Sequence, residues 1–278
     1  RLLERFGSVE AAYEAPEAEL LRIPRVTAEM VAQLHATPLE ALEAELVALA
    51  DEGVQAVSWD DGAYPANLRS LSDAPPLLFV RGEIREQDAE AVAIVGTREP
   101  SPRALCAAER LGRELAARGL TVVSGLALGV DTAAHRGALQ AEGGRTLAVL
   151  GSGLRAIHPR QNIPLAHSIA ARGAVLSELA PGTPVRGPNL MARDRITSGL
   201  SRALIVVEAG EKSGSIDTAD KARRQGRLLL AVPGSPGTDA LLAAGAERLE
   251  PEAADWDELS ARIRGAGVGG ASAQLSLF

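Results

Sequence analysis

The sequence predicts an α/β protein in which an extended, Rossmann-like, doubly wound and mostly parallel sheet follows a small all-helical domain. Three observations support this fold class. Short apolar runs alternate with amphipathic helical segments from Ala91 onward, and the links from helix to strand are tight and carry glycine. The first 50 residues show helical spacing. With 278 residues, 46% of them hydrophobic, the chain is long enough for both domains.

The amino-terminal domain, predicted over residues 1–52, has the pattern of a small helical hairpin module. Ser8 and Thr27 are placed to cap two short helices. Leucines at helical spacing predict an amphipathic helix over 38–51. The chain begins with Arg1, without Met, inside a helical pattern. We therefore expect this domain to be truncated at its start.

Eight apolar runs are predicted as strands, and helical segments separate most of them. The predicted strands cover residues 54–57, 77–80, 91–95, 120–123, 146–150, 174–176, 204–207 and 228–232. Glycine past a helix end is a C-cap signal, and it stands shortly before four of these runs. The sheet domain is therefore predicted over 53–264. The Gly/Ala/Ser-rich residues 265–278 are predicted to be a flexible tail.

The net charge of −7 conceals an uneven distribution. Residues 1–90 hold 7 basic and 18 acidic side chains, whereas residues 91–246 hold 19 basic and 12 acidic ones. The sheet domain is therefore expected to prefer anions. The alternative is a composition bias toward arginine, because among the 29 basic residues only Lys212 and Lys221 are lysines.

Several classes of protein do not fit the sequence. No apolar run reaches the roughly 18 residues of a membrane span, and no signal peptide is recognisable, so a cytoplasmic protein is predicted. The single cysteine, Cys106, excludes a disulfide framework, and its apolar neighbours predict a buried helical position. The four histidines lack metal-ligand spacing. No metal and no cofactor are expected.

The loops that follow the strands carry the candidate functional residues. In doubly wound sheets, ligands bind outside the carboxyl ends of the strands. Small residues there let a phosphate approach the N–H groups at a helix start. The candidates are Gly96, Arg98, Ser101, Ser124, Gly125, Gly129, Gly151, Gly153, His158, Arg160, Asn162, Arg193, Arg195, Lys212, Ser213 and Gly214. We expect the five cations among them to share one edge and to form a groove for a polyanion or a nucleotide.

Plainer interpretations exist for several candidates. Each arginine taken alone is an exposed surface side chain, and Arg193 and Arg195 are placed to form salt bridges with nearby acids such as Asp194. The groove also lacks an obvious stacking platform. No aromatic residue lies between Phe79 and Trp256, so bases would have to rest on arginine, histidine or apolar side chains.

Enzymatic interpretations are weaker. Ser124, Asp131 and His135 suggest a hydrolytic triad, but Ser124 is not in a G-x-S-x-G elbow. The glycines at 151 and 153 suggest a dinucleotide site, but prolines interrupt the helix that should follow. There is no Walker A motif, so ATP hydrolysis is not expected.

Taken together, the loops resemble the DNA-processing protein A (DprA/Smf) family over about residues 54–250. The motifs that carry the resemblance are Gly96-Thr-Arg98-x-x-Ser101, Ser124-Gly-x-Ala-x-Gly129-x-Asp131, Gly151-x-Gly153, Pro159-x-x-Asn162, Ser177-Glu178, Arg193-x-Arg195, Ser213-Gly-Ser215 and Ala231-Val-Pro-Gly234. The helical front also fits the helix-hairpin-helix (SAM-like) domain of this family.

The resemblance implies an extended Rossmann domain that binds single-stranded DNA without sequence specificity. It further implies protection of incoming DNA in natural transformation, loading of the RecA recombinase, a homodimer, and no enzymatic activity. By motif, Arg98 and Arg160 are the best candidates for DNA contacts. The same motif matches imply that the DNA-binding pocket is lined by Ser124, Gly125, Asn162, Arg193 and Arg195.

The sequence departs from the family pattern at a few positions. His158 stands where the family has tyrosine, Leu190-Met191 where it has Phe-Pro, and Asp194 where it has asparagine. These changes remove aromatic and amide partners for bases. Many family members end in a winged-helix module, and we do not expect one within these 278 residues. Gln274–Phe278 resembles a sliding-clamp-binding peptide.

One enzymatic alternative belongs to a related group of Rossmann domains. Proteins of the lysine-decarboxylase-like (LOG) group cleave nucleotide N-glycosidic bonds and carry a P-G-G-x-G-T-x-x-E run. The nearest run here begins at Pro233, lies on a later strand and lacks the glutamate. An interaction scaffold that acts through the acidic front domain is a third, non-catalytic possibility.

Overall fold

The computed structural model describes residues 2–267, and these form two compact units. One unit runs to Gly53 and is helical, and the other begins at Val54 and contains the sheet. Residues 268–278 lie outside the described residues, and with them the predicted clamp-binding peptide and most of the predicted tail.

The helical unit is built from five short helices. These are α1 (Leu2–Phe6), α2 (Val9–Tyr13), α3 (Glu17–Leu20), α4 (Ala28–His35) and α5 (Leu39–Asp51). Both predicted caps are present. The hydroxyl of Ser8 accepts from the N–H of Ala11 at 3.1 Å, and that of Thr27 from Met30 at 3.2 Å.

A mixed sheet organises the second unit. Within the described residues it has nine strands: β1 (Val54–Ser58), β2 (Leu77–Gly82), β3 (Ala91–Val95), β4 (Thr121–Ser124), β5 (Thr146–Val149), β6 (Ala174–Ser177), β7 (Ala203–Val206), β8 (Leu228–Ala231) and β9 (Glu247–Arg248). The order across the sheet is β1-β2-β6-β5-β4-β3-β7-β8-β9. The seven strands β3 to β9 are parallel to one another in this order. Strand β2 pairs antiparallel with β6, and β1 pairs antiparallel with β2 at the edge of the sheet.

Helices cover both faces of this sheet, as the doubly wound class requires. They are α6 (Ala66–Arg69), α7 (Pro102–Ala117), α8 (Val130–Gln140), α9 (Ile163–Arg172), α10 (Gly187–Gly199), α11 (Gly214–Arg224), α12 (Pro236–Ala243) and α13 (Trp256–Gly265). Alternate residues of β3 illustrate the two layers. Val92 and Ile94 pack in the core under α7, α8 and α13, whereas Ala93 and Val95 belong to the core under α10 and α11.

The chain order places a topological switch point between β3 and β7. From β3 the chain winds through β4, β5 and β6 to one side, and then returns to β7 and β8 on the other. Val95 pairs with Val206 at the carboxyl ends of the two strands. Ligands in open α/β sheets bind in the crevice at such a point.

Cys106 corrects one expectation, because it is exposed rather than buried. It lies on α7, whose buried face is formed by Ala104, Ala107 and Leu111. Among the described residues no helix is both long and apolar enough to cross a membrane. Residues 2–267 also contain no group of three His, Cys, Asp or Glu side chains that could hold a metal ion.

Candidate functional site

Loops at the carboxyl ends of the strands surround a groove of about 830 Å³, here called the switch-point groove. It is formed by residues that follow β3, β4 and β7 and by the first half of α10. The predicted site residues that line it are Gly96, Arg98, Gly125, Arg193, Lys212, Ser213 and Gly214. The structure thus brings together residues from four of the five predicted loops.

Two cations of the groove are available to a ligand. Arg98 and Lys212 are exposed, and neither side chain has a hydrogen-bond or ion-pair partner within residues 2–267. Lys212 precedes the amino end of α11, where a Cβ on Gly214 would meet nothing within 4 Å. The buried hydroxyl of Ser213 also has no partner among the described residues. The groove therefore combines two exposed cations with the positive end of a helix.

Carboxylates line the same groove, which sequence reasoning did not foresee. They belong to Glu99, Asp131, Asp194, Glu211, Asp217 and Asp220. Asp194 is neutralised by Arg193 at 2.9 Å, Asp217 by Lys221, and Asp220 by Arg223 at 3.4 Å. Glu99 and Glu211 are exposed. The groove is therefore of mixed charge.

Arg193 supports the loop after β4 from inside. Its side chain is buried and donates to the carbonyl oxygens of Gly125, at 2.7 Å, and of Val149. Asp131 holds the same loop by accepting from the N–H groups of Gly125 at 3.1 Å and Ala127 at 3.3 Å. Burial raises the pKa of Asp131 to about 6, and the positive charge of Arg193 opposes this shift.

Three other residues that were predicted to line the site form ion pairs or hydrogen bonds within the protein. Arg195 forms a two-pronged ion pair with Glu178, with both N–O distances at 2.7 Å. The hydroxyl of Ser124 is buried and donates to the carbonyl of Ile94 at 2.6 Å. The buried amide of Asn162 donates to the carbonyl of Leu126 at 2.8 Å. For the two predicted arginines, the salt-bridge interpretation is the one the structure shows.

Ser101 and the remaining glycines shape the loops. Ser101 caps α7 by accepting from Ala104 at 3.2 Å, and its hydroxyl donates to Glu208 at 2.5 Å. A Cβ on Gly153 would lie 2.2 Å from the carbonyl of Ala180, and one on Gly129 2.5 Å from that of Thr97. A Cβ on Gly96 would lie 2.6 Å from the side chain of Val130, and one on Gly151 would lie 2.7 Å from that of Leu190. These glycines allow loops to pack on one another.

The hydrolytic triad is not formed. The Nδ1 atom of His135 lies 2.7 Å from the hydroxyl of Thr146, and the hydroxyl of Ser124 is bonded to a backbone carbonyl. Burial lowers the pKa of His135 to about 3, so that its ring is neutral at physiological pH. Ser124 and His135 therefore have structural hydrogen bonds and do not form an activated nucleophile.

His158 and Arg160 lie in a second cavity of about 580 Å³, here called the histidine–arginine pocket. Its basic lining residues are Arg81 at the end of β2, Arg155, His158 and Arg160 in the loop after β5, and His167 on α9. Leu154, Ile157, Ile163, Pro184 and Val185 supply its apolar lining. No carboxylate is among the described residues that line it. Sequence reasoning missed Arg81, Arg155 and His167.

Fold and site together define a Rossmann-like α/β protein whose candidate ligand cavities lie at loops that follow the parallel strands. Residues 55–260 match the family model of DNA recombination-mediator protein A, and the chain belongs to that family. The resemblance noted in the sequence is thereby confirmed.

Similar proteins support this assignment. Protein Smf of Escherichia coli (strain K12) is 38% identical over 231 residues, which cover 80% of this chain and 60% of the relative. DNA processing protein DprA of Bacillus subtilis (strain 168) is 38% identical over 191 residues, which cover 68% of this chain and 64% of the relative. The chain thus spans less than two thirds of the length of these curated relatives.

Two solved structures share the fold. DNA processing protein A from Streptococcus pneumoniae matches with a TM-score of 0.73 and 36% identity, over 81% of this chain and 79% of that one. DNA processing protein A from Helicobacter pylori matches with a TM-score of 0.67 and 30% identity, over 76% of this chain and 96% of that one. The latter structure concerns a single-stranded DNA binding mode of that protein.

Proposed function

We propose that this chain binds single-stranded DNA without sequence specificity, through the loops at the carboxyl end of its sheet, and that it acts as a binding protein without catalysis. The observation that carries the proposal is the availability of Arg98, Arg160 and Lys212. All three are exposed, and none has a partner among the described residues. The Helicobacter pylori relative, whose structure concerns single-stranded DNA binding, supports this proposal.

The switch-point groove offers groups that can bind both the phosphates and the bases of a single strand. Arg98 and Lys212 neutralise phosphates, and the start of α11 offers N–H donors. The exposed side chain of Met191 and the half-buried Leu190 line the same groove and give bases an apolar surface in place of aromatic rings. Because Arg98 and Lys212 release counterions when they neutralise phosphates, binding weakens as salt rises, and Glu99 and Glu211 in the same groove reduce this salt slope.

The wider role follows from the family. The chain protects incoming single strands in the cytoplasm during natural transformation, hands them to the RecA recombinase, and works as a homodimer. The clamp-binding role of Gln274–Phe278 belongs to the same proposal. Co-purification of RecA with the full-length chain on a single-stranded DNA resin tests the partner, and light scattering tests the dimer. RecA retention independent of the chain would contradict the loading role.

Affinity for different nucleic acids tests the core of the proposal. Fluorescent oligo-dT, a mixed-sequence single strand and a duplex are titrated at about 50 and about 200 mM salt. We expect similar affinity for the two single strands, weaker affinity for the duplex, and a steep loss at the higher salt. Equal affinity for duplex and single strands, or binding that is insensitive to salt, would overturn the proposal.

A further inference from the structure

The histidine–arginine pocket concentrates basic groups more strongly than the switch-point groove. Five basic side chains from three parts of the fold line it, and no carboxylate does so among the described residues. His158, Arg160 and His167 are exposed, and none has a hydrogen-bond or ion-pair partner within residues 2–267. The switch-point groove, in contrast, is lined by three cations and six carboxylates. Of the two cavities, this pocket is therefore the better match for a ligand of high negative charge.

The number of basic groups distinguishes between kinds of phosphate. A phosphodiester inside a strand carries one negative charge, and its two flanking nucleotides occupy part of the space around it. A terminal phosphomonoester carries up to two charges and three acceptor oxygens. Arginine forks and imidazole N–H groups supply the multiple donors that such a group accepts. His158, Arg160 and His167, which have no partner among the described residues, together offer more donors than a single internal phosphate would use.

The apolar lining suggests what is attached to the phosphate. Ile157, Ile163 and Val185 lie in the same cavity as the basic side chains. Binding sites for small molecules combine an apolar lining with a few polar anchors that fix orientation. A sugar and base joined to a phosphate have both parts.

We propose that the histidine–arginine pocket binds a nucleotide phosphomonoester, such as the phosphorylated end of a single strand. This inference rests on the proposed function and adds to it a site that recognises strand ends. Arg160 holds the phosphate oxygens, His158 and His167 contribute further donors, and the apolar side chains contact the terminal sugar and base.

The test compares fluorescent oligo-dT strands that differ only at one end, which carries a 5′-phosphate, a 3′-phosphate or a hydroxyl. We expect at least one phosphorylated end to raise affinity about tenfold, a difference of about 1.4 kcal/mol. The gain should vanish in Arg160→Gln and in the His158→Gln, His167→Gln double variant. It should persist in Arg136→Gln, which changes an exposed arginine on α8 that lines neither cavity.

Competition with dTMP, thymidine and inorganic phosphate separates a strand end from a free nucleotide. Displacement by dTMP alone, lost in Arg160→Gln, supports the site and shows that it also accepts free nucleotides. If the strands bind but phosphorylated and hydroxyl ends are equal and dTMP does not compete, the inference is wrong and the proposed function stands. A phosphate gain that survives both pocket variants also overturns it. If the wild type binds no strand at all, the proposed function fails first.

Discussion

The buried guanidinium of Arg193 packs directly against Gly125 and leaves no space there for a side chain. The Nη1 atom of Arg193 donates to the carbonyl of Gly125 at 2.7 Å, and a Cβ on Gly125 would lie 2.3 Å from that same nitrogen. The two residues lie 68 positions apart in the chain and come from α10 and the loop after β4. Their contact fixes the floor of the switch-point groove. The contact gives both residues a structural role in the loop after β4.

Gly125→Ala is expected to destabilise the fold by about 2 kcal/mol, because the new methyl group forces the buried guanidinium off its carbonyl partners. Urea unfolding measures the free energy. Gly214→Ala is the matched control, since a Cβ there meets nothing within 4 Å. We expect the control to stay within about 0.5 kcal/mol of the wild type. Equal stability of the two variants would contradict the packing argument.

Asp131 predicts an unusual dependence of stability on pH. Its pKa is raised to about 6 in the folded chain, above the value of about 3.9 in unfolded peptides. The folded state therefore binds the proton more tightly, and this group lowers stability as pH rises from about 4 to about 6. In Asp131→Asn that loss is absent. Unfolding free energies of wild type and variant should diverge over this window and run parallel above pH 7.

His135 serves as the control of opposite sign. Its pKa is lowered to about 3, below the unfolded value of about 6.5. Its contribution to the free energy of unfolding is therefore fully present above pH 6.5 and is lost as pH falls toward 3. The Asp131→Asn variant keeps this loss of stability from His135 but lacks the opposing gain from Asp131. Its free energy of unfolding should therefore fall more steeply than that of the wild type as the solution is acidified. A difference between the two proteins that is constant from pH 4 to pH 7 would show that Asp131 ionises normally.

Substitution of Arg195 is expected to affect stability, and substitution of Arg98 is expected to affect DNA binding. Arg195→Ala removes the two-pronged ion pair with Glu178 and should lower stability by about 1 to 2 kcal/mol. Affinity for oligo-dT should change less than twofold. Arg98→Ala should leave stability unchanged and reduce the salt slope of binding by about one. Anisotropy titrations and thermal unfolding measure both quantities, and a reversed pattern would assign DNA contact to the wrong arginine.

We expect no free base from nucleoside monophosphates at high protein concentration, because Ser124 and His135 are held by structural partners. Chromatography of the reaction mixture detects thymine or adenine directly. Base release by the wild type that disappears in Asp131→Asn would instead establish the nucleotide-cleaving alternative, with Asp131 as its acid or base.

The buried strands could be predicted from the sequence because each is an apolar run whose two faces are both covered by helices. The predicted strands from 91–95 to 228–232 match β3 to β8 within one residue at each end. Strand β9 was not predictable. Glu247 and Arg248 are both exposed and charged, and they are recognisable as a strand only through their pairing with Leu230 and Ala231.

The site was predictable in its location and less so in its chemistry. Residue types at strand ends indicated the loops, but sequence does not show which cations are engaged internally. Arg202, counted in the basic excess, donates to the carbonyl of Ala89 at 2.9 Å. Arg145 is buried with Asp88 at 2.6 Å. The excess of positive charge therefore overstates the charge available to a ligand.

The histidine–arginine pocket was only half visible in the sequence. Arg81 and His167 come from β2 and α9, and nothing near them in the chain resembles the loop that holds Arg160. Only the packing of these elements brings them into one cavity.

The most direct measurement of the central claim is the titration of fluorescent oligo-dT with wild type, the Arg98→Ala, Arg160→Ala double variant and the control Arg136→Ala, at low and moderate salt. We predict tight, salt-sensitive binding by the wild type and the control, and a loss of about 100-fold or more in the double variant at low salt. Binding by the double variant that equals the wild type at both salt concentrations would contradict the assignment of the DNA site to the carboxyl end of the sheet.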